Sequence, residues 1–285
     1  MRSDLSAVLF GYPVGHSRSP QLFAALAAAG GPRIDFQLES VPPDRLGGAL
    51  DGLRAGRRAA AGITIPYKQE AAARVDALTP LAARAGAINA LARRGDRLVG
   101  ANTDGPGFLR ALAGFGRFSL RRAVVLGAGG AARGVCAALA GRGVSVTVVS
   151  RRPAARADWV GRLAGAVIGW EDPRLVSICR RADLIVQATP LGMAPRVEAC
   201  APLPPDAVRP GARVMDLIYT PWETRFLAMA RTRGAEAMNG WPMLVAQAAV
   251  AVDFWLGEGA GRRMVGAVRR MERRSPMGRH RRRVA

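Results

Sequence analysis

Ala123-Val124-Val125-Leu126-Gly127-Ala128-Gly129-Gly130-Ala131-Ala132 is the stretch that decides how this chain folds. Four apolar residues with no polar alternation predict a strand covered on both faces. Gly127 permits the tight turn that ends the strand. Gly129 lets backbone come close to a ligand, and the small Ala132 lets the next helix pack tightly. A helix that starts at such a turn aims its free N–H groups over the loop, where they suit a pyrophosphate. The stretch therefore predicts a dinucleotide held by Gly127, Ala128, Gly129, Gly130 and Ala131.

The end of the next strand, Val144–Val149, separates two dinucleotides. An acid there would bind the ribose 2′-hydroxyl of NAD. The chain has Ser150-Arg151-Arg152 instead. A serine hydroxyl can hydrogen-bond a phosphate and a guanidinium can grip one bidentately, so these three residues predict NADP, with Arg156 as a further contact. The bland alternative is a pair of surface arginines in an arginine-rich protein. Further strands read at Leu184–Ala188 and Arg213–Leu217, with helices between. Such alternation predicts a parallel sheet with helices on both faces.

The same rhythm precedes this unit. Leu5–Phe10, Ile34–Ser40 and Ala61–Ile65 read as strands, and Ala87–Ala92 and Arg97–Ala101 as two more around the turn Arg94-Gly95-Asp96. Pro20–Ala29, Asp44–Arg54, Lys68–Val75 and Gly107–Ala113 read as helices, and helices at Met243–Leu256 and about 261–273 close the chain.

The basic residues are 41 arginines and a single lysine, Lys68. A coding bias that turned every other basic position into arginine left this one untouched. Arginine stays charged in any protein environment, whereas a lysine ammonium can give up a proton. Lys68 is therefore the first candidate for proton transfer, against the reading of a chance survivor on a solvated turn. The net charge of +21 invites a nucleic-acid reading. However, ten arginines against one acid lie between Gly261 and Ala285. Residues 275–285 read as a disordered basic tail, without a specific nucleic-acid partner. Cys136, Cys179 and Cys200 are odd in number and far apart, as expected of a reducing cytoplasm. Two histidines and no Cys-x-x-Cys predict no metal site. No apolar run reaches the roughly 20 residues of a membrane helix, and the first residues do not read as a signal peptide.

Several segments then carry a family resemblance. Gly11-Tyr12-Pro13-Val14-Gly15-His16-Ser17-Arg18-Ser19-Pro20 resembles the opening signature of the shikimate dehydrogenases, and Ile63-Thr64-Ile65-Pro66-Tyr67-Lys68 their lysine motif. Gly86-Ala87-Ile88-Asn89, Asn102-Thr103-Asp104-Gly105-Pro106-Gly107, the loop from Gly127 to Gly134, Ala188-Thr189-Pro190-Leu191-Gly192-Met193 and Met243-Leu244-Val245-Ala246-Gln247-Ala248 resemble the others, in order. The resemblance implies a two-domain α/β fold. Residues 1–104 and 240–274 would form an α/β substrate domain, and residues 105–239 a Rossmann-type NADP-binding domain with a parallel sheet.

It also implies NADPH-dependent, reversible reduction of 3-dehydroshikimate to shikimate, by a monomer or homodimer. Lys68 would give the forming alkoxide its proton, with Asp104 holding the lysine and binding the adjacent hydroxyl. Ser17 and Ser19 would take the carboxylate. Thr64, Asn89, Thr103, Tyr219 and Gln247 would supply the donors and acceptors a polyol needs. Thr189, Leu217 and Gly240 would join the cofactor residues. The chain departs from the family pattern at Phe23-Ala24, where His-Asn is usual, at Gly62 and Gln187, where asparagine is usual, and at the bulky Trp241. These departures leave room for a paralogue acting on quinate or an aminoshikimate, with NAD as a possible cofactor. A reading from another class is an inactive relative that binds nucleotide or nucleic acid through its basic surface; intact Lys68 and Asp104 argue against it.

Overall fold

Among the described residues, twelve strands build two sheets of six. The structure, a computed structural model, describes residues 4–163 and 165–274; the expected tail at 275–285 lies outside them. The chain divides into two units, one of residues up to Gly107 and from Val245 onward, the other Phe108–Leu244.

The first sheet holds β1 (Leu5–Gly11), β2 (Ile34–Ser40), β3 (Ala60–Ile63), β4 (Ala77–Leu78), β5 (Ala90–Arg94) and β6 (Arg97–Ala101). Their order is β2-β1-β3-β5-β6-β4. β1 runs parallel to both β2 and β3, and β4 parallel to β6. β5 is antiparallel to its two neighbours, and the turn read at Arg94-Gly95-Asp96 joins it to β6. The cause is local: Gly95, with φ of 66°, turns the chain so that Arg94 pairs with Arg97. β5 also starts at Ala90 rather than Ala87. Gly86 caps the helix Pro80–Ala85 in the left-handed region, and Ala87–Asn89 leave it as a loop.

Helices α1 (Ser19–Ala28), α2 (Leu46–Arg54), α3 (Lys68–Ala73), α4 (Pro80–Ala85) and the start of α5 (Asp104–Ala111) belong to this unit. Val8, Phe10, Leu50, Leu53, Ile63 and Tyr67 pack into its core. Two departures from the family pattern meet in one packing solution. Phe23 is buried with its ring centroid 4.6 Å from Phe36 and 5.9 Å from Trp255. A side chain at Gly62 would meet Leu9 Cδ1 at 2.9 Å and the Phe36 ring at 3.6 Å.

In the second unit, β7 (Arg122–Leu126), β8 (Ser145–Val149), β9 (Ala166–Ile168), β10 (Leu184–Gln187), β11 (Arg213–Asp216) and β12 (Glu236–Met238) are ordered β12-β11-β10-β7-β8-β9. Every pair is parallel. Between them run α6 (Gly130–Ala140), α7 (Ala157–Gly161), α8 (Leu175–Arg181) and α9 (Arg225–Thr232). This is the doubly wound order, with β7 first and the direction of winding reversing between β7 and β10. Ligands of such sheets bind off the carboxyl ends of the strands at that reversal.

The chain returns through α10 (Trp241–Leu256) to α11 (Met264–Arg274). The division falls after Gly107 and before Val245, past the expected limits at 104 and 240. The first turn of α5 is fastened to α10 by a close approach: a Cβ on Gly107 would lie 2.5 Å from Gln247 Cβ. That contact keeps residues 105–107 with the first unit.

Candidate active site

The substrate half follows from strand direction. β1, β3 and β6 point the same way and β5 the other. The segments after β1, β3 and β6, and the one before β5, therefore leave the sheet at one end. These segments carry Ser17 and Ser19, Thr64 and Lys68, Thr103 and Asp104, and Asn89. The loops after β1 and β3 are tied together by the Tyr12 N–H, which donates to the Ile65 carbonyl at 2.9 Å. Gly11 makes room for them, since a Cβ there would lie 2.3 Å from Thr64 Cγ2.

Lys68 opens α3 and Asp104 opens α5. The Lys68 ammonium donates to Asp104 Oδ2, with side chains only 12% and 6% exposed. Asn89 Nδ2 lies 3.0 Å from Asp104 Oδ1, 2.8 Å from Thr103 Oγ1 and 3.0 Å from Gln247 Oε1. An amide has two hydrogens for these three acceptors. The network thus has acceptor capacity that a polyol's hydroxyls can use. Asn89 Oδ1 accepts the Thr103 N–H at 2.6 Å, and the Thr103 hydroxyl reaches Gln247 Oε1 at 3.2 Å.

Sequence reasoning placed Asn102 in a motif but gave it no role. Its amide donates to the Ala87 carbonyl at 2.9 Å, and its carbonyl accepts the Gly105 N–H at 3.1 Å. It ties the Asn89 loop to the start of α5, as an Asn in an Asx turn does. Ser17 and Ser19 sit together: the Ser17 hydroxyl donates to Ser19 Oγ at 3.2 Å and accepts the Ser19 N–H at 3.3 Å.

The second unit provides a cradle for a dinucleotide. Gly127 has φ of 105°, and a Cβ there would meet Thr189 Cγ2 at 2.9 Å and the Ala188 carbonyl at 3.1 Å. The loops after β7 and β10 thus close on each other at the winding reversal. A Cβ on Gly129 would meet nothing within 4 Å, and α6 begins without a side-chain cap. Open space over uncapped N–H groups fits a pyrophosphate.

Ser150 is buried at the end of β8 and its hydroxyl accepts the Arg152 N–H at 3.2 Å, leaving Arg151 and Arg152 exposed. Nearby, the Arg133 guanidinium lies 4.6 Å from the Trp159 ring centroid. Burial pushes its pKa down to about 10, with Arg156 and Arg162 adding like-charge repulsion. An anion there would relieve that repulsion. Sequence reasoning missed Arg133, although an arginine in the first turn of a helix opposes the helix dipole and is a signal in itself.

Leu217 and Gly240 are brought together: a Cβ on Gly240 would lie 2.1 Å from the Leu217 carbonyl oxygen, and the Gly240 N–H donates to Ile218 at 2.9 Å. Trp241 does not project into open space. It is buried with its ring 6.4 Å from both Tyr219 and Trp222. The Thr189 hydroxyl accepts the Leu191 N–H at 3.2 Å. Among the described residues no helix is long and apolar enough to cross a membrane.

The shikimate dehydrogenase substrate binding domain family matches residues 9–91. The chain is 45% identical over 261 residues to the shikimate dehydrogenase (NADP(+)) of Moorella thermoacetica, covering 88% of each. It is 37% identical over 262 residues to that of Desulforamulus reducens, covering 87% of this chain and 89% of the relative. The crystal structure of shikimate 5-dehydrogenase from Thermus thermophilus in complex with NADP(H) and shikimate superposes with a TM-score of 0.80. The two are 35% identical, with 93% of this chain and 99% of that one covered. A glycine-cradled nucleotide fold, a lysine–aspartate pair set among amides and hydroxyls, and these likenesses along nearly the whole length agree: the chain belongs to the shikimate dehydrogenase family.

Proposed function

We propose that this chain reduces 3-dehydroshikimate to shikimate, reversibly, with NADPH. The observation that carries the reading is the Lys68–Asp104 pair joined through Asn89 to Thr103 and Gln247. In this reading the unit with that network takes the substrate, and Phe108–Leu244 takes NADP through Gly127–Ala131, Ser150, Arg151, Arg152, Thr189, Leu217 and Gly240. When bound, NADPH supplies the hydride.

The chain's own residues handle the proton and the substrate's polar groups. As the ketone oxygen gains negative charge, the Lys68 ammonium stabilises it and delivers a proton. Asp104 keeps the ammonium in place and accepts the neighbouring ring hydroxyl. In the oxidative direction neutral Lys68 takes the hydroxyl proton back, by microscopic reversibility. Ser17 and Ser19 donate to the substrate carboxylate. Thr64, Asn89, Thr103, Tyr219 and Gln247 bind hydroxyls.

Two buried cysteines without a partner support a reducing, cytoplasmic setting, where the enzyme works as a monomer or homodimer. A spectrophotometric assay with shikimate and quinate, each with NADP+ and NAD+, tests the reading. Turnover of shikimate with NADP+ supports it; turnover of neither acid with either nucleotide refutes it.

A further inference from the structure

Asp216 ends β11 with no exposed surface, and the mechanism above gives it no task. Its Oδ1 accepts the Gln187 amide at 3.2 Å and the Ile218 N–H at 3.0 Å, and its Oδ2 accepts the Thr224 hydroxyl at 2.6 Å. The residues bonded to it begin three separate segments. Gln187 ends β10, and its amide also donates to the Leu191 carbonyl at 3.1 Å while its carbonyl accepts the Thr189 N–H. Ile218 lies between Leu217 and Tyr219. Thr224 caps α9, accepting the Leu227 N–H at 3.2 Å. Gly192, with φ of 96°, closes the first segment against Thr224, whose Cβ would lie 3.5 Å from a Cβ at 192.

A carboxylate satisfied only by neutral donors is costly to bury. Desolvation pushes Asp216 up to about 6. The charged groups around it do not neutralise it: the Cys200 thiol is itself raised by burial and by Asp216, and Arg225 acts on Cys200. Fold stability alone would be served as well by an apolar pair at this strand end. A buried, costly hub at the carboxyl edge of a doubly wound sheet marks a functional constraint.

We propose that Asp216 is a positioning residue for the cofactor: its carboxylate fixes the Gln187–Gly192 and Leu217–Tyr219 segments so that Thr189 and Leu217 meet NADP. The proposal rests on the assignment of those two residues to the cofactor made above. Asp216 acts through these segments and not by contact. Removing it loosens both segments at once, whereas asparagine keeps an oxygen for Gln187 and Ile218.

The test compares wild type, Asp216→Ala, Asp216→Asn and Thr224→Val by calorimetric titration with NADP+ and, separately, with shikimate, together with KM, kcat and Tm. Asp216→Ala raises the NADP+ Kd by at least about tenfold, the change equivalent to losing one charge-assisted hydrogen bond. Its shikimate Kd stays within about twofold, because Ser17, Lys68 and Asn89 lie in the other unit. Asp216→Asn restores NADP+ binding to within about threefold of wild type. A merely structural role would lower Tm and leave the Kd of the folded fraction unchanged, and a folded Asp216→Ala with wild-type NADP+ affinity overturns the proposal. Should the alanine variant fail to fold, Thr224→Val, which deletes one donor and keeps the shape, carries the test: a rise of about threefold supports the proposal and no rise overturns it. Wild-type protein that binds no NADP+ would overturn the underlying assignment and the proposal with it.

Discussion

Lys68 offers a test that separates charge from proton transfer, because the substitution that this chain has accepted at every other basic position is available there. Lys68→Ala removes both functions. It leaves Asp104, 6% exposed, with Asn89 as its remaining side-chain donor at 3.0 Å. Stripping the partner from a buried ion pair costs about 3–5 kcal/mol. The surviving amide donor places Lys68→Ala near the lower end, about 3 kcal/mol. Lys68→Arg returns a cation to Asp104, so much of that stability comes back. It does not return a proton donor, since a guanidinium stays protonated at any working pH. General acid–base groups contribute about 10²- to 10⁴-fold, equivalent to about 2.7–5.5 kcal/mol of barrier. Both variants should therefore lose at least about 100-fold in kcat with a smaller change in KM for shikimate. Arginine should recover Tm, and alanine should not. Steady-state kinetics and thermal melts on the three proteins read this out. If Lys68→Arg kept kcat within about threefold of wild type, the ion pair would be the whole contribution and proton transfer would have to be assigned elsewhere.

Arg151→Ala should raise KM for NADP+ far more than for NAD+, measured by varying each nucleotide at saturating shikimate; a wild-type enzyme equally efficient with both would void the assignment of Ser150, Arg151 and Arg152. The kcat/KM for shikimate should exceed that for quinate at least about tenfold, because quinate carries an extra hydroxyl beside its carboxylate, Ser17 and Ser19 are taken up by that carboxylate, and Arg18 and Gln21 are exposed; equal efficiencies would move the chain to quinate. Asp216 adds a pH signature to stability. Its folded pKa of about 6 lies above the ordinary 3.8, so its favourable contribution is complete below about pH 3.8 and is lost as pH rises through 6. Asp216→Asn should accordingly gain stability relative to wild type between about pH 4 and pH 6, by at most about 3 kcal/mol, and hold that gain above, read as a rise in Tm; a difference in Tm that is flat across this range would show that Asp216 does not titrate there.

What the sequence made legible were features carried by neighbouring residues. The turn at Gly127, the serine and arginines after β8, and the lysine motif are each read within a few positions. The glycine spacing argues for a nucleotide, and the solitary lysine for a proton donor. Less legible was anything set by partners distant along the chain. β4, β9 and β12 span two or three residues each, too short for periodicity to register. The turn at Gly95 between β5 and β6 was legible, but the pairing of β5 with β3, further back along the chain, was not. Asn102 and Asp216 looked like ordinary polar residues at element ends, because their worth lies in the atoms that reach them from elsewhere. Arg133 was hidden by the abundance of arginine.

The departures at Phe23 and Gly62 show the same limit from the other side. Read singly, each was a departure from the family pattern that left every proposed catalytic and substrate-binding group in place. In the fold they are the two ends of one apolar arrangement: Phe36 lies over Gly62 and against Phe23, and Trp255 completes the group with its indole N–H donated to the Leu91 carbonyl at 3.0 Å. The family's asparagine cannot simply be returned to position 62. Its Cβ would lie 2.9 Å from Leu9 Cδ1 and 3.6 Å from the Phe36 ring, with the Asn89 backbone carbonyl 3.9 Å away. Local overpacking costs about 1–3 kcal/mol. Gly62→Asn should therefore lower Tm sharply in this background. The cost should fall when Leu9 is shortened to valine in the same chain, because its Cδ1 is what a Cβ at position 62 meets first. A fully additive double variant would mean that the two positions do not share that space, and the departures would then have to be weighed separately for their effect on substrate choice.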